Sequence, residues 1–200
     1  MQIDAVVLEG ERVRLEPMRR DHLAALAGAG CYDELWAWTR AKATTTETMS
    51  QYIEEALTEA ATGTALPFVT IDKPSATVVG STRFGNIDPR NRRVEIGWTW
   101  ISPPFQRTYV NSETKYLMLR HAFEVWDCVR VELKTDVLNE KSRAAMLRLG
   151  AVEEGVLRRH ILTYSGRFRD TIYYSILDHE WPAVRARLEV RLRVVPITRE

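Results

Sequence analysis

The stretch "SPPFQRTYVNSET" (residues 102–114) decides the fold, because it joins a strand-like run to a helix-like run. The run before it, "RVEIGWTWI", alternates polar and apolar residues as a half-buried strand does. The run after it, "TKYLMLRHAFEVW", has apolar residues at helical spacing and predicts a helix over about residues 112–126. The N–H groups that open a helix bind phosphate readily, usually beside glycine, yet this turn contains no glycine. It is therefore either an ordinary loop or a phosphate-binding turn built from other residues.

Polar side chains in this turn could supply hydrogen-bond donors to an anion. They are Gln106, Arg107, Thr108 and Asn111. Arg107 adds positive charge, and asparagine is a preferred N-cap residue, so Asn111 is expected to cap the helix. The alternative interpretation is a capped helix start beside a solvated arginine.

A second strand–helix unit follows the first. "CVRVELKTDV" alternates apolar and charged residues, and "NEKSRAAMLRLG" (residues 139–150) predicts a helix that starts at Asn139 and ends at Gly150. Ser142 lies one turn after Asn139 on the same helix face. Asn139 is either a simple N-cap or a ligand contact, and the sequence leaves both open.

The rest of the chain supplies further strands and helices around these two units. Other strand-like runs are "RVRLEP", "ALPFVTID", "TVVGSTRFGNI", "VEEGVLRRHILTY" and "RFRDTIYYSIL". Helical runs are "RRDHLAALAGAG", which Asp21 could cap, "TTTETMSQYIEEALTEAATG", which a threonine could cap, and "DHEWPAVRARL". The order β, α, α, β, β, β, α, β, α, β, β predicts a mixed α/β layout around one sheet. We expect a single domain over residues 1–200, with a C-terminal helix and tail from about residue 179.

The composition excludes several classes of protein. Lys and Arg number 28 against 27 for Asp and Glu, so the net charge of +1 gives no electrostatic case for a nucleic-acid partner. No apolar run approaches the length of about 18 residues that spans a bilayer, and no signal peptide is expected. Cys31 and Cys128 are far apart and have no metal-ligand spacing, so no metal site is expected. The two cysteines are interpreted as reduced thiols of a cytoplasmic protein.

Two segments carry a resemblance to a known family. They are "EIGWTWISPPFQRTYVNSETKYLMLRHAFE" (residues 95–124) and "TDVLNEKSRAAMLRLGAVEEGVLRRH" (residues 135–160), and "RDTIYYSIL" fits the family's last strand. The chain resembles the Gcn5-related N-acetyltransferases (GNAT), in the branch of the ribosomal-protein N-terminal acetyltransferases (RimJ/RimL type). The resemblance implies a mixed, mostly antiparallel central sheet of about seven strands flanked by helices.

The resemblance also implies a cofactor, acetyl-CoA, and the residues that bind it. In the family the turn after the strand holds the coenzyme A pyrophosphate on backbone N–H groups. The implied coenzyme contacts are Trp100, Ile101, Gln106, Arg107, Thr108, Tyr109, Val110, Asn111, Asn139 and Ser142. Tyr109 and Asn111 stand where the family usually has glycine, which suits close backbone approach. Tyr109 fits if its φ is negative and its ring points away from the phosphates.

The resemblance implies catalytic roles as well. The position at which many relatives have an acidic tyrosine is Met146 here, and the serine used in the ribosomal branch matches Ser142. Ser142 is therefore a candidate proton donor to the leaving thiolate, or alternatively a contact of the pantetheine arm. Glu95 is a candidate base, expected to share a strand face with Gly97 and Thr99. Its alternative role is a salt bridge with Arg93 or Arg130.

These observations predict an acetyl-CoA-dependent N-acetyltransferase acting on a primary amine, either a protein N-terminus or a small molecule. The alternative from another class is a non-catalytic acyl-CoA-binding or interaction module, which the missing glycines and the missing tyrosine favour. Acceptor specificity is expected in "CYDELWAWTRAKATTTE" (residues 31–47) and in the loop between the last two strands. No nucleic acid or membrane is expected as a partner, and a homodimer is one candidate assembly.

Overall fold

The computed structural model describes Met1 and residues 3–194. The strands are β1 Leu8–Glu9, β2 Val13–Pro17, β3 Leu66–Asp72, β4 Thr77–Asp88, β5 Arg93–Ile101, β6 Arg130–Asp136, β7 Val152–Leu162 and β8 Phe168–Leu177. The helices are α1 Leu23–Gly30, α2 Thr46–Ala61, α3 Tyr109–Arg120, α4 Glu140–Leu149 and α5 Trp181–Val194. Each run of sequence named above therefore forms the type of element predicted for it.

The strands form one sheet of eight strands in the order β1-β2-β3-β4-β5-β6-β8-β7. All neighbours are antiparallel except β5 and β6, which are parallel because α3 connects them as a crossover. The predicted mixed, mostly antiparallel sheet is confirmed. It has one strand more than expected, and the extra strand is the two-residue β1, which is too short to give a sequence pattern.

Two helix starts agree with the sequence. The side chain of Thr45 accepts the Thr48 N–H at the start of α2, and the Asn139 side chain accepts the Ser142 N–H at the start of α4. These caps depend only on residues within one turn of each other, so the local sequence is enough to predict them.

Two other expected caps are wrong. Asp21 lies inside a 3₁₀ turn over Arg20–His22, and no side chain caps α1, which begins at Leu23. Helix α3 begins at Tyr109, three residues before the expected start, because the Thr108 side chain accepts the Val110 N–H. Asn111 therefore lies in the first turn of α3 and is not its cap.

The core lies on both faces of the sheet. One cluster packs α3 and α5 onto one face, and the ring of Phe84 in β4 lies 4.6 Å from the ring of Trp126 there. The other cluster packs α1 and α2 onto the opposite face around Trp36 and Trp100, whose rings are 5.5 Å apart. Both of these tryptophans are buried, so they belong to the core.

The sheet splits between its two halves. β5 and β6 pair only over Arg93–Glu95 and Arg130–Glu132. Beyond these residues β5 continues to Ile101 and β6 continues to Asp136, with no pairing between them. The split leaves a gap in the middle of the sheet, and α3 and α4 begin just beyond the strands that border it.

The predicted single domain over residues 1–200 stays a prediction, and its residues 195–200 lie outside the described residues. Within the described part of the chain, no helix is long and apolar enough to cross a membrane. The same residues contain no group of three or more His, Cys, Asp or Glu side chains that could hold a metal ion. Cys31 is exposed and Cys128 is buried, and both are free thiols.

Candidate functional site

The gap between β5 and β6 (the cleft) is the candidate site. Its geometry follows from the short β5–β6 pairing, which leaves the facing edges of both strands unpaired past Glu95 and Glu132. Helix α3 starts beyond the end of β5, and helix α4 starts beyond the end of β6. The N-termini of two helices, each with a positive partial charge, therefore lie at the same end of the cleft.

The turn before α3 has the features of an anion site. Arg107 is exposed and adopts a positive φ of 62°, a conformation that non-glycine residues seldom take. The backbone N–H groups of Arg107 and Thr108 donate to no other described residue. The Gln106 side chain turns back and donates to Ile101 O at 2.9 Å, which fixes the turn. The left-handed position thus falls on Arg107 instead of on Tyr109 or Asn111.

The next two residues point into the protein. Tyr109 is buried, its hydroxyl donates to the carboxylate of Asp72, and the Arg12 guanidinium lies 4.2 Å from its ring centroid. Its φ is not positive, so the condition set out for this tyrosine is met. Val110 is fully buried in the core. Only the backbone of these two residues is left to face a ligand at the turn.

The strand side of the cleft offers backbone groups. Ser102 N–H donates to Val79 O of β4, and because backbone groups alternate in direction along a strand, those of Ile101 point the other way, toward the cleft. The side chain of Trp100 packs in the core beside α1 and α2. By the same alternation the backbone groups of Trp100 point toward β4, so neither its side chain nor its backbone faces the cleft.

Helix α4 brings Ser142 to the other side of the cleft. Asn139 uses its side-chain oxygen to cap the helix, accepting the Ser142 N–H at 3.1 Å. The half-buried hydroxyl of Ser142 forms no hydrogen bond with another described residue. Met146, one turn further along, packs against the core and carries no acidic proton. Ser142 is thus the residue of this trio with a hydroxyl available for a ligand.

Glu95 is buried and paired, but not with the expected partners. Its Oε2 lies 2.7 Å from Lys134 Nζ and accepts a hydrogen bond from Asn86 Nδ2 at 2.6 Å. Arg93 and Arg130 instead share Glu132, at 3.1 and 3.0 Å. The expected salt bridge with Arg93 or Arg130 is therefore wrong, since both arginines point along the sheet toward other carboxylates.

A bulge in β5 lies next to Glu95, and no pattern in the sequence predicts it. Trp98 has a φ of 49°, and the pairing with β4 shifts between Ser81 and Arg83, so that Trp98 and Thr99 oppose the single residue between them. The bulge changes which face each later residue takes. Thr99 consequently contacts α3, whereas Glu95 contacts Asn86, so the expectation that Thr99 shares the face of Glu95 is wrong.

Lys115 is a second residue that sequence reasoning missed. A lysine among the apolar residues of a helix is usually solvated, but Lys115 is 8% exposed and donates to Thr99 Oγ1 at 2.7 Å. Thr99 Oγ1 in turn lies 2.7 Å from Thr82 Oγ1. Burial lowers the pKa of Lys115 to about 7, and the charge of Glu95 opposes this shift. The apolar stripe of α3 cannot predict this contact, because the bulge in β5 is what places the Thr99 hydroxyl beside Lys115.

The two segments expected to set acceptor specificity touch each other. Arg169 of β8 donates to the backbone oxygen of Trp38 at 3.0 Å, and Arg167 of the same hairpin lies 5.9 Å from the Trp38 ring centroid. Arg167 also forms a salt bridge with Asp136 at the end of β6. The loop after α1 and the β7–β8 hairpin thus meet beside the cleft, at the end of β6.

The part of the sheet that carries Glu95, Lys134 and Tyr173 on one face (the open face) has a surface groove of about 590 Å³. Asn86, Arg93, Glu132, Leu157 and Tyr173 are among the residues that line it. Because Asn86 also donates to Glu95, the groove adjoins the cleft at that carboxylate.

Comparison with known proteins gives a consistent result. Residues 12–152 match the family described as an acetyltransferase (GNAT) domain. The protein named "Putative ribosomal N-acetyltransferase YdaF" of Bacillus subtilis (strain 168) is 36% identical over 102 residues, which cover 51% of this chain. The match spans about half of that relative, 55% of its length.

Two solved structures extend the likeness to nearly the whole chain. A "putative acetyltransferase" from T. thermophilus is 38% identical with a TM-score of 0.87, covering 96% of this chain and 100% of its own. RimJ of Mycobacterium smegmatis, solved in complex with CoA-disulfide, is 25% identical with a TM-score of 0.78, covering 94% of this chain and 92% of its own. The expected fold and acetyltransferase domain are confirmed: the chain belongs to the Gcn5-related N-acetyltransferase (GNAT) family, in the branch whose members carry the names ribosomal N-acetyltransferase and RimJ.

Proposed function

We propose that this protein is an acetyl-CoA-dependent N-acetyltransferase that acetylates a primary amine. The observation that carries the proposal is the cleft, where unpaired strand edges meet two helix N-termini. Helix N-termini bind phosphate, and the free N–H and C=O groups of a strand edge form hydrogen bonds with amides. An elongated anionic cofactor that contains both groups fits such a cleft. Acetyl-CoA would supply the acetyl group as a thioester.

The turn over residues 106–111 would hold the coenzyme pyrophosphate. Arg107 supports this role, since its side chain is exposed and its N–H group donates to no other described residue. Thr108 adds a second such N–H group, and the backbones of Tyr109, Val110 and Asn111 continue the helix start. The missing glycines are compatible with this role, because the left-handed residue is Arg107 and the ring of Tyr109 points inward.

The remaining coenzyme contacts would come from the two strands and from α4. Ile101 would offer its backbone N–H to the pantetheine arm, because its carbonyl oxygen already accepts the Gln106 side chain. Trp100 would support the strand from the core without contacting the coenzyme. Asn139 would act through the helix that it caps. Ser142 would give a proton to the departing thiolate, since its hydroxyl forms no hydrogen bond with another described residue.

Glu95 has a supporting role in this proposal. Its carboxylate is 2% exposed and is already bound to Lys134 and Asn86. Both donors engage the same oxygen, Oε2, and fix the carboxylate at the border of the cleft. We therefore propose that Glu95 acts as a positioning residue that holds Lys134 and Asn86 at the border of the cleft.

The acceptor proposed is the N-terminus of a protein. The names of YdaF and RimJ favour a protein acceptor over a small-molecule amine. The groove on the open face of the sheet has room for a peptide beside Glu95. A cytoplasmic location without nucleic-acid or membrane partners remains part of the proposal.

The test is thiol release from acetyl-CoA, measured with a panel of peptides that have free N-termini and a panel of small amines. A calorimetric titration with acetyl-CoA runs beside it. Turnover with peptides supports the proposal, and turnover with small amines alone would move the acceptor to that class. Binding without turnover across both panels would favour a non-catalytic acyl-CoA-binding module.

We predict that Ser142→Ala lowers kcat by on the order of a hundredfold while the dissociation constant of acetyl-CoA changes little, as expected for a proton donor. Ser112→Ala serves as a control, because that serine lies on α3 outside the proposed acid role. Wild-type kcat in Ser142→Ala would show that the proton comes from elsewhere.

A further inference from the structure

β7 contains an irregular bulge of three residues, and one of them is a histidine whose side chain leaves the regular alternation of the strand. Leu157 pairs with Thr171, and the next residues to pair are Ile161 and Arg169, so residues 158–160 face a single residue, Asp170. Arg159 adopts a positive φ of 47° there, and its N–H donates to Asp170 Oδ1 at 2.6 Å. Bulges of this kind commonly redirect a side chain near an active site.

The redirected side chain is His160, and it faces the cleft side of the sheet. Its ring lies 5.9 Å from the ring of Tyr173 in β8. The same Tyr173 ring has Lys134 Nζ 5.6 Å from its centroid, and that ammonium is 2.7 Å from Glu95 Oε2. The contacts therefore run from His160 through Tyr173 and Lys134 to Glu95, all on the open face of the sheet.

The groups around His160 favour its neutral form. Desolvation lowers the pKa of His160, Lys134 of β6 and Arg169 of β8 lower it further, and Glu95 of β5 opposes them. The ring of Tyr173 packs beside the imidazole. The imidazole is nevertheless exposed, so it can release a proton to solvent. Glu95, in contrast, is buried and already holds two donors.

We propose that His160 is the general base that accepts the proton of the acceptor ammonium, an inference that rests on the proposed N-acetyltransferase function.

A ring nitrogen of neutral His160 takes one proton from R–NH₃⁺, and the amine that results attacks the thioester carbonyl carbon. The C–N bond forms, the C–S bond breaks with its electron pair on sulfur, and the thiolate takes a second amine-derived proton through Ser142. The imidazolium then gives its proton to solvent. The balance is R–NH₃⁺ plus acetyl-CoA giving the amide, coenzyme A and one H⁺.

The experiment compares His160→Gln with His179→Gln. His179 is an exposed histidine in the turn before α5, where it faces Asp178, so its substitution should leave activity unchanged. We expect His160→Gln to lower kcat/KM at pH 7 by on the order of a hundredfold and to abolish the fall of kcat/KM at acidic pH. Added imidazole should restore part of the activity of His160→Ala, which a purely structural role would not allow.

A second readout needs no cofactor. NMR titration of the ligand-free protein should show His160 titrating at lower pH than a free histidine, in agreement with its lowered pKa. Wild-type activity and an unchanged pH profile in His160→Gln would overturn the inference while leaving the proposed function intact, and a His160 ring that stays charged above pH 7 would do the same. A wild-type protein inactive toward every amine would overturn both.

Discussion

The backbone conformation of Arg107 costs stability, although the residue lies at the proposed coenzyme site. Its left-handed backbone costs a non-glycine residue about 1–2 kcal/mol, and it occurs at the turn before α3. Strain of this kind persists where the surrounding structure fixes it and is often found at ligand sites. The side chain forms no ion pair among the described residues, so the strain is not offset by a visible contact.

We predict that Arg107→Gly stabilises the fold, or leaves its stability unchanged, while it weakens coenzyme A binding. Glycine relieves the strain but loosens the unfolded chain, so the net gain is at most about 1 kcal/mol. Loss of the exposed charge should weaken binding by up to roughly fivefold. Urea unfolding and calorimetry measure the two effects.

Arg148→Gly is the matched control for Arg107→Gly. Arg148 is an exposed arginine inside α4, where glycine should cost about 1 kcal/mol without affecting the coenzyme. A loss of stability in Arg107→Gly as large as that in the control would contradict the strain argument. Unchanged coenzyme binding would remove Arg107 from the site.

Tyr109 is predicted to stabilise the fold without contacting the coenzyme through its ring. Tyr109→Phe removes the hydrogen bond from its hydroxyl to the carboxylate of Asp72, and a bond to a charged group contributes about 1.5–3 kcal/mol. We expect urea unfolding to show that loss and the affinity for acetyl-CoA to stay unchanged. Tyr164→Phe, at a 43% exposed tyrosine, is the control. A weaker affinity in Tyr109→Phe would show that the ring also serves the ligand.

At the scale of elements, α3 and the β5 bulge form one unit. Lys115 on α3 reaches Thr99 at the bulge, where Trp98 has its positive φ. The helix therefore supports the strand at the point where the sheet splits. The buried amine of Lys115 raises the energy of the folded state, because its pKa falls from 10.5 to about 7 while the unfolded chain keeps the ordinary value.

The sign of the pH dependence follows from that shift. Between pH 7 and pH 10.5 the unfolded state binds more protons at Lys115 than the folded state does, so the free energy of unfolding rises with pH there. We predict that Lys115→Met removes this rise, which amounts to roughly 1 kcal/mol per pH unit, and raises stability at pH 7. Urea unfolding of both proteins at pH 7 and pH 9 measures the difference.

Lys141→Met is the control, because Lys141 is exposed on α4. It should keep the wild-type dependence of stability on pH. If Lys115→Met keeps that dependence as well, the amine of Lys115 stays charged in the folded protein over this range, and the argument from its burial is wrong.

The helix caps and the partner of Glu95 show which features can be predicted from the sequence alone. A threonine cap for α2 was correctly predicted and is Thr45, and Asn139, left open between a cap and a ligand contact, caps α4, since a cap depends on one turn of chain. The cap at Thr108 was missed because two polar residues, Thr108 and Asn111, both suit the position and only the packing of Tyr109 decides between them. The partner of Glu95 was missed because the β5 bulge and the sheet split place Lys134 beside it, and neither leaves a periodic pattern.

At the scale of the whole molecule, the two edges of the sheet differ. One edge is the two-residue β1, which offers little to a partner. The other edge is β7, whose residues are almost all exposed, among them Val156 at 43% and Leu157 at 48%. An exposed strand edge can pair with another chain, unless charges or bulges prevent it.

The charges on β7 are arranged so that the strand complements itself. Around Val156 the sequence reads "EEGVLRR" (residues 153–159), with two carboxylates before and two guanidiniums after. Residues 158–160 bulge, so a continuous backbone ladder cannot form along this edge. Antiparallel packing of a second copy about Val156 through side chains would still bring Glu153 near Arg159 and Glu154 near Arg158. Neither arginine forms an ion pair within the described part of the chain. Self-complementarity of this kind is a requirement of a two-fold interface.

We therefore predict that the protein forms a homodimer through β7, and charge exchange tests it. A variant with Arg158→Glu and Arg159→Glu should be monomeric by sedimentation, because the four carboxylates of each copy then face the four of the other. A variant with Glu153→Arg and Glu154→Arg should be monomeric for the opposite reason, although it also loses the Arg130–Glu154 pair. An equimolar mixture of the two should form a heterodimer, since each strand then meets the opposite charge along its whole length. A monomeric wild type would contradict the prediction. Two variants that each dimerise as the wild type does would place the interface elsewhere.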